Sequence, residues 1–267
     1  MHLALDHLTV SDAYPWEVID LAAANRLQGV CLFLHAMDVI VPMPAYDLIT
    51  DVTARQRTRK ALDDTGVSLD LVYPFTLTGR SRAKDFAPAI TVAAELGAKA
   101  INLLVYDRDE PRRIEAVGAV ADLAAVSGLE ALIEFYPASA VKDLASATTL
   151  VQAVARKNLG LNLDILHLYR SGGAVSDVEA ARPWIRFAQL ADAPHQVPEH
   201  LDYEAGRARL NIGEGDLAVS EFIAALPQDV PISLEVPRDE DILCGLSQAQ
   251  RADRAVSALK TFLAEAR

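Results

Sequence analysis

Short apolar runs alternate with helix-forming segments eight times along this chain. A short apolar run bounded by turn residues is typical of a strand that is buried on both faces. The eight predicted strands are residues 3–9, 29–34, 67–73, 98–105, 129–134, 159–164, 185–190 and 231–236. The eight predicted helices are residues 15–25, 51–64, 84–96, 110–127, 145–156, 177–181, 217–226 and 248–266. Because parallel strands need crossover connections, this alternation predicts a parallel sheet.

The number of units and the length of the chain favour one architecture. Eight β-then-α units in 267 residues match a closed (β/α)8 TIM barrel. An open doubly wound sheet is the rival, but no G-x-G-x-x-G motif follows the first predicted strand. No linker, repeat or low-complexity tract divides the chain. We therefore predict an α/β protein whose residues 1–267 form a single (β/α)8 TIM-barrel domain.

Composition limits the partners of the chain. Its formal net charge of −12 argues against nucleic acid, whose binding proteins carry basic patches. No apolar run has the length of a membrane span, and the first residues do not resemble a signal peptide. The two cysteines, Cys31 and Cys244, are too few for a disulfide framework and suggest a reducing interior. We expect a cytoplasmic protein with no nucleic-acid or membrane partner, and a homo-oligomer remains open.

Four of the predicted strands end on an oxygen-bearing side chain. Glu134, Asp164, Gln189 and Glu235 close the fifth, sixth, seventh and eighth strands. In a TIM barrel the chemistry lies at the carboxyl ends of the strands. The four side chains therefore predict one polar site at that end of the barrel.

A divalent cation would explain why three carboxylates share one small space. Carboxylates that face each other raise one another's pKa, and a cation removes this repulsion. Oxygen ligands suit Mg²⁺ or Mn²⁺, and Co²⁺ can substitute. We therefore predict that Glu134, Asp164, Gln189 and Glu235 hold one divalent ion. The alternative is that each of them caps its strand or pairs with an arginine.

Two further side chains are predicted to face the substrate from this side. His167 follows Asp164 by three residues and can lean over the site as a substrate donor or proton carrier. Its alternative is a structural ring bonded to a loop carbonyl. Tyr136 lies two residues beyond Glu134, on the same side if the strand continues that far. Packing is the alternative for Tyr136.

The first three predicted strands supply His7, His35 and Tyr73 at or near their ends. These side chains could line a substrate pocket, or each could be satisfied by local hydrogen bonds. Later in the chain, Arg207 and Arg209 precede a glycine-containing turn. Either arginine could close over a substrate oxygen, or remain solvated.

Five motifs carry a resemblance to a known family. They are IEFYP around Glu134, NLDILH around Asp164 and His167, FAQLADAP around Gln189, RLNIGEGDL from Arg209 and SLEVP around Glu235. In this order they resemble the xylose isomerase-like barrel superfamily, which includes sugar phosphate isomerases and epimerases, inositol-catabolism enzymes and endonuclease IV. The resemblance implies that a Glu, an Asp, a His or Gln, and a Glu hold one divalent metal. It also favours Arg209 over Arg207 as the substrate contact.

The sequence departs from some members of this superfamily. Ketose 3-epimerases usually carry His where this chain has Gln189, and that departure looks more like bacterial 3-dehydroshikimate dehydratases. Some dehydratase relatives carry His where this chain has Tyr136, so the dehydratase match is incomplete. Endonuclease IV uses a larger, His-rich set of metal ligands that this acidic chain lacks, which excludes DNA repair.

These observations lead to three functional hypotheses. The leading one is a metal-dependent isomerase or epimerase of a small sugar or hydroxy-ketone, with Glu134 and Glu235 moving a proton next to the carbonyl. The second is a carbon–oxygen lyase of the 3-dehydroshikimate dehydratase type, with His167 or Tyr136 handling the proton. The third is a non-catalytic barrel that binds a polyol or serves as a partner. For both enzyme hypotheses the expected substrate is a small polar molecule, a sugar or a cyclic hydroxy-ketone.

Overall fold

The computed structural model describes residues 1–40 and 43–265. Its eight parallel strands close into a barrel in the order β1 to β8. The strands are β1 Leu3–Asp6, β2 Gly29–Phe33, β3 Ser68–Leu77, β4 Ala100–Val105, β5 Glu130–Glu134, β6 Leu159–Asp164, β7 Ile185–Leu190 and β8 Ile232–Leu234. The predicted (β/α)8 TIM-barrel fold is therefore confirmed.

Eleven α-helices occur in the described part of the chain. They are α1 Pro15–Ala24, α2 Val52–Thr65, α3 Ala87–Leu96, α4 Glu110–Val126, α5 Leu144–Val154, α6 Ile165–Arg170, α7 Val175–Ala181, α8 Leu201–Arg207, α9 Val219–Ala225, α10 Asp239–Leu243 and α11 Gln248–Glu265. Short 3-10 helices lie at His7–Val10, Ala83–Phe86 and Arg182–Trp184. Among these residues, no helix is both long and apolar enough to cross a membrane.

Local sequence explains where two of the helices start and stop. The Asp51 carboxylate caps α2 by accepting hydrogen bonds from the backbone N–H groups of Thr53 and Ala54, at 2.8 and 3.0 Å. Helix α2 ends at Gly66 and α3 ends at Gly97, with φ angles of 70° and 79°. Both angles lie in the left-handed region, which glycine adopts without steric cost.

Side-chain alternation along each strand separates two apolar regions. In β4, Ile101 and Leu103 point outward and are fully buried beneath the helices. Asn102 and Leu104 have the opposite parity and point into the barrel. A smaller apolar cluster fills the barrel interior and consists of Ala4, Cys31, Phe33, Leu71, Tyr73, Ala100, Leu132 and Phe187. The polar residues at the carboxyl ends of the strands therefore lie above a packed apolar barrel interior.

Several boundaries differ from the predicted ones for identifiable reasons. Strand β1 stops at Asp6 because the Asp6 carboxylate accepts a hydrogen bond from the Leu8 N–H at 3.0 Å and starts a 3-10 helix. Strand β3 continues beyond Tyr73 to Leu77. The region predicted as a long loop at residues 191–214 contains α8. Glu235 follows the last residue of β8.

Strand register brings the predicted site residues to one edge. Asp164 of β6 pairs with Gln189 of β7, and Glu134 of β5 pairs with Asn162 of β6. Glu235 approaches the same edge because its backbone N–H donates to the Leu190 carbonyl at 3.0 Å. Parallel pairing in this register places the strand-end side chains side by side.

The opposite, amino-terminal end of the barrel holds a buried ionic cluster. Asp70 is 2% exposed, and its carboxylate lies 2.7 Å from the Lys99 ammonium and 2.6 Å from the His2 imidazole. Gly29 lies directly against it, because a Cβ at this position would fall 1.8 Å from Asp70 Oδ2. Asp70 is held from two sides and has little room to move away.

We expect Gly29→Ala to lower the free energy of unfolding by about 2–3 kcal/mol, the cost of overpacking a filled site. The added methyl group would collide with the Asp70 carboxylate. Urea unfolding followed by circular dichroism measures the change.

Gly118→Ala is the matched control. Gly118 lies in the interior of α4, and a Cβ there would meet its nearest neighbour, Val154, at an ordinary 3.5 Å. This substitution should leave stability unchanged or raise it by up to about 1 kcal/mol, because alanine is the better helix former. Equal losses for the two variants would contradict the packing described for Gly29.

Candidate active site

A cavity of about 420 Å³ opens at the carboxyl-terminal end of the barrel. Its size lies within the range of small-molecule sites. Six of its lining side chains are charged or phenolic and come from the second half of the barrel: Glu134, Tyr136, His167, Asp202, Arg209 and Glu235. The first half of the barrel contributes mainly apolar side chains. Of the four predicted metal ligands, Glu134 and Glu235 line this cavity, whereas Asp164 and Gln189 are fully buried and do not line it.

Glu134, Asp164 and His167 form the tightest group of potential metal ligands. Each offers one ligand atom, and these atoms lie within 4.8 Å of one another. His167 Nε2 is 3.4 Å from Glu134 Oε1 and 3.8 Å from Asp164 Oδ2. All three side chains are buried. Two carboxylates and an imidazole are a donor set that fits a divalent cation.

Arg209 places a positive charge between two of the carboxylates. Its Nη1 donates to Asp164 Oδ2 at 2.7 Å, and its Nη2 lies 3.6 Å from Glu235 Oε1. The Nε atom donates to the Ala205 carbonyl at 2.8 Å, and the guanidinium is 1% exposed. Arg209 therefore lies at the site with its charge paired to two acids, and its predicted contact with the substrate stays a prediction.

The charge of Arg209 explains the ionisation of Asp164. Burial alone would raise the pKa of Asp164, but the positive charge of Arg209, helped by His167, outweighs it and lowers the pKa. For Arg209 itself, burial opposes the charged form, yet Asp164 and Glu235 raise its pKa. Asp164 and Arg209 are therefore a buried ion pair at neutral pH.

Glu235 has the opposite balance. Burial raises the pKa of Glu235 well above its ordinary value, and the nearby negative charges of Asp6 and Asp164 add to this, although Arg209 opposes it. One of its oxygens accepts a hydrogen bond from Gln189 Nε2. Without a further cation, Glu235 therefore favours the protonated form.

Gln189 presents its nitrogen rather than its oxygen to the carboxylates. Its Nε2 donates to Glu235 and, at 3.0 Å, to the hydroxyl of Tyr73, which in turn donates to Asp6 at 2.7 Å. Its Oε1 accepts from Asn162 Nδ2 at 2.5 Å. Metal ligation by the carbonyl oxygen of Gln189 would need the amide turned by half a rotation, and it stays a prediction.

Three buried polar residues at this site, Asp6, Asn102 and Asn162, were not identified from the sequence. Asn102 donates to the Glu134 carboxylate, and its Oδ1 accepts from Asn162 Nδ2 at 3.0 Å. Burial raises the pKa of Asp6 to about 6. The available signal was an asparagine in the middle of an apolar strand, as in INLL and LNLD. A central strand buries such a side chain only if it finds a partner.

Tyr136 lies at the cavity but its hydroxyl is occupied. The ring packs edge-on against His167 at a centroid distance of 4.8 Å and an interplanar angle of 60°. Its hydroxyl donates to Asp202 of α8. Burial and the hydrogen bond to Asp202 raise the pKa of Tyr136. Tyr136 therefore joins β5 to the helix that covers the site.

Helix α8 is fastened over the cavity by a buried ion pair. Arg170 of α6 holds Glu204 of α8 through two contacts of 2.6 and 2.7 Å, and both side chains are less than 10% exposed. Nearby, the Asp192 carboxylate accepts the backbone N–H groups of Gly213, Gly215 and Leu217 at 3.0 to 3.1 Å. The segment carrying Arg209 is thus fixed on both sides.

His7 and His35 were predicted to line the pocket, and the structure does not bring their rings to the described cavity wall. His7 is fully buried; its Nε2 donates to the Ala13 carbonyl at 3.0 Å and its Nδ1 accepts from the Phe33 N–H at 3.3 Å. His35 Nδ1 donates to the Ala36 carbonyl at 2.9 Å. Both rings are used by local backbone groups.

Tyr73, the third predicted pocket residue, does line the cavity, although its hydroxyl is bonded to Asp6 and Gln189. Arg207, the arginine that the sequence disfavoured, pairs with Asp239 at 3.1 Å. It does not line the cavity in the described part of the chain.

Comparison with known proteins agrees with this architecture. The family model described as xylose isomerase-like TIM barrel matches residues 19–263. No curated protein matches the chain by sequence.

Solved structures of similar fold include three that differ in activity. A xylose isomerase-like TIM barrel/4-hydroxyphenylpyruvate dioxygenase fusion protein has a TM-score of 0.80 at 20% identity; the match covers 97% of this chain, which spans 42% of that protein. The probable 3-DHS dehydratase AsbF from Bacillus anthracis has a TM-score of 0.73 at 17% identity, covering 97% and 99%. D-allulose 3-epimerase from Methylomonas sp., in complex with D-allulose, has a TM-score of 0.71 at 15% identity, covering 99% and 96%. At these identities the likeness shows the fold alone.

We expect Arg209→Met to lower the free energy of unfolding by about 3–5 kcal/mol in metal-free buffer, the cost of leaving a buried charge without its partner. Asp164 would lose its 2.7 Å ion pair, and Glu235 would lose its nearest positive charge. Arg156→Met is the control, because Arg156 pairs with Asp122 on the surface. Urea unfolding should show a far smaller loss for Arg156→Met; similar losses would contradict the role given to Arg209.

The buried imidazole of His7 should make stability depend on pH. Burial lowers the pKa of His7 to about 4, from an ordinary value of 6.5. Its stabilising contribution is therefore fully present above pH 6.5 and is lost as the pH falls through 4. The full loss amounts to about 3 kcal/mol.

His7→Gln keeps a donor for the Ala13 carbonyl but removes the titration. Unfolding free energies of wild type and variant should therefore converge as the pH falls from 7 to 4. A constant difference across this range would show that His7 does not titrate as described.

Proposed function

The chain belongs to the xylose isomerase-like TIM barrel family, and we propose that it is a divalent-metal-dependent isomerase or epimerase. Its substrate is a small sugar or hydroxy-ketone, and the central step removes a proton from the carbon next to the carbonyl. The observation that carries the proposal is the grouping of Glu134, Asp164 and His167, with ligand atoms within 4.8 Å, beside a cavity of substrate size.

The donor set supports a metal centre at this place. Glu134, Asp164 and His167 would hold the ion. The sequence predicted Gln189 and Glu235 rather than His167 beside the two acids, and Gln189 would offer its oxygen only if its amide turned. Carboxylate oxygens favour Mg²⁺ or Mn²⁺, and Co²⁺ also accepts this set. A bound divalent ion would supply positive charge that stabilises the enolate formed next to the carbonyl.

Two carboxylates are placed to move the proton. Glu134 ends β5 and Glu235 follows β8, so their carboxylates reach the cavity from different sides of the ring of strands. In an epimerase, one takes the proton from carbon and the other returns a proton to the opposite face. Asn102 holds the Glu134 carboxylate, and Gln189 holds that of Glu235. These bonds orient both groups before the substrate arrives.

Other residues bind the substrate and limit the access of water. Arg209 Nη2 is 3.6 Å from Glu235 and can donate to a substrate oxygen between them. Asp202, Ala205 and Gly206 of α8 line the cavity and cover it from the solvent side. Exclusion of water strengthens the electrostatic interactions inside the site.

A carbon–oxygen lyase of the 3-dehydroshikimate dehydratase type is the second candidate. The arrangement of His167 favours it, because the imidazole lines the cavity, contacts Glu134 and packs against Tyr136. His167 could protonate a departing hydroxyl. A substrate carboxylate, however, needs a cation, and Arg209, the one Lys or Arg lining the cavity in residues 1–40 and 43–265, is already paired with Asp164.

Titration of metal-free protein with Mn²⁺, followed by calorimetry, tests the metal centre. We expect one ion per chain, and Asp164→Asn should weaken binding by more than about 100-fold, since loss of outer-shell partners alone costs about 10- to 100-fold. Asp122→Asn, an exposed carboxylate that pairs with Arg156, is the matched control and should bind Mn²⁺ like wild type. Full function of the metal-stripped protein would instead support a non-catalytic barrel.

The same Mn²⁺-loaded protein then separates the two chemistries. Proton NMR in D₂O should show exchange of the C–H next to the carbonyl of a ketose such as D-allulose, and Glu235→Gln should slow it by at least about 100-fold, the usual contribution of a positioned acid or base. If the protein instead forms an ultraviolet-absorbing conjugated product from 3-dehydroshikimate and causes no such exchange in the ketose, the epimerase proposal is rejected in favour of the dehydratase.

A further inference from the structure

The wall of the cavity is divided into two halves of different chemistry. Its acidic and basic side chains all come from β5 onward: Glu134 ends β5, His167 lies in α6, Asp202 in α8, and Arg209 and Glu235 follow α8 and β8. The half formed by β1 to β4 and their loops is apolar, and its main lining side chains are Leu8, Phe33, Met37, Ile40, Phe75 and Leu104. A substrate that fills the cavity therefore meets a polar pole at one end and hydrocarbon at the other.

The apolar half is built on the barrel core. Leu8, Met37 and Ile40 pack onto the apolar cluster of the barrel interior, which includes Phe33. Leu104 points into the barrel two residues after Asn102 and remains partly exposed to the cavity. The apolar wall of the cavity is therefore continuous with the packed interior of the barrel.

Polar groups on this half are few and mostly occupied. In its described residues, no Lys, Arg, Asp or Glu side chain lines the cavity. The Tyr73 hydroxyl is bonded to Asp6 and Gln189, and the Asn102 amide is bonded to Glu134 and Asn162. The hydroxyls of Thr76 and Tyr106 are left to meet a ligand.

A polyhydroxylated chain is poorly suited to such a surface. Each hydroxyl that enters it loses hydrogen bonds to water, and the Thr76 and Tyr106 hydroxyls are too few to replace them for several substrate hydroxyls, which disfavours binding. A hydrocarbon group gains by leaving water for the same surface. The cavity therefore favours a molecule that is polar at one end and apolar at the other.

We propose that the substrate is an amphipathic hydroxy-ketone, with its carbonyl and neighbouring hydroxyl at the polar pole and an alkyl or aryl group against Leu8, Phe33 and Leu104. This inference rests on the proposed function for the chemistry at the polar pole. It narrows the substrate class from sugars in general to molecules with one hydroxyl-poor end.

Two four-carbon hydroxy-ketones provide a matched test. 1-Hydroxybutan-2-one and L-erythrulose share the HO–CH₂–C=O group and differ by two hydroxyls on the remaining carbons. We expect the Mn²⁺-loaded protein to bind 1-hydroxybutan-2-one at least about 10-fold more tightly by calorimetry, because unpaired hydroxyls are penalised. 2-Hydroxyacetophenone, which carries a phenyl group in the same place, should bind more tightly still.

Substitution within the apolar half should change this preference. Leu104→Asn adds a hydrogen-bonding group at the cavity and should lower the preference for 1-hydroxybutan-2-one over L-erythrulose by about 5-fold or more. Leu104→Met keeps an apolar side chain of similar volume and should preserve the preference. Val126→Asn, at an 88% exposed position on α4, is the surface control. If Leu104→Asn does not fold, Ile40→Asn makes the same change from the loop after β2.

The outcomes separate this inference from the proposed function. L-Erythrulose binding as tightly as 1-hydroxybutan-2-one, or no binding of the alkyl and phenyl compounds, overturns the amphipathic substrate class. Exchange of the L-erythrulose C–H in D₂O would still support the proposed proton abstraction. If 2-hydroxyacetophenone binds tightly without Mn²⁺ and its C–H does not exchange in D₂O, the apolar binding surface is supported and the metal-dependent proton abstraction is rejected.

Discussion

The buried charge of Arg209 is the interaction on which the carboxyl end of this barrel depends. Four carboxylates, from Asp6, Glu134, Asp164 and Glu235, are buried within a few strands of one another. Their mutual repulsion and the loss of hydration both oppose ionisation. Arg209 contacts Asp164 at 2.7 Å and lowers its pKa, whereas burial raises the pKa values of Glu235 and Asp6 although the same guanidinium opposes it. A single guanidinium therefore balances only part of the negative charge, and a bound divalent cation would balance the rest.

A chain of buried hydrogen bonds gives this charge balance its geometry. It runs from Asp6 through Tyr73, Gln189, Asn162 and Asn102 to Glu134, and each link joins side chains from different strands. Asn162 Nδ2 donates to Gln189 on one side and to Asn102 on the other, so the donors run outward from Asn162 to the two terminal carboxylates, which accept. The amide orientation of Gln189 follows from this order. Binding of a cation to the Gln189 oxygen would have to reverse several bonds together, which couples metal binding to the whole network.

Much of the fold and part of the site could be predicted from sequence. The eight alternating units determined the barrel, and the strand-end positions of Glu134, Asp164 and Glu235 followed from apolar runs that end on a carboxylate. Side-chain partners distant in sequence could not be predicted in this way. Burial lowers the pKa of His7, and the Ala13 carbonyl and the Phe33 N–H fix the orientation of its ring; only the folded chain brings these groups together. The direction of the Gln189 amide likewise depends on hydrogen bonds to Tyr73, Asn162 and Glu235, which are distant in sequence.

The same limit explains why the apolar half of the cavity was not foreseen. An apolar residue in a strand is expected to be core, so Phe33 and Leu104 gave no sign that they line a cavity. Strand parity could have placed Leu104 on the inward face with Asn102. Whether an inward side chain is covered by others or lines a cavity, however, depends on how the barrel interior is packed. In this chain Leu8 and Met37 pack onto that interior cluster and line the cavity, together with the ionisable groups that come from β5 onward. The division of the cavity is therefore a consequence of packing: one side is the exposed top of the barrel core, and the other is the charged site.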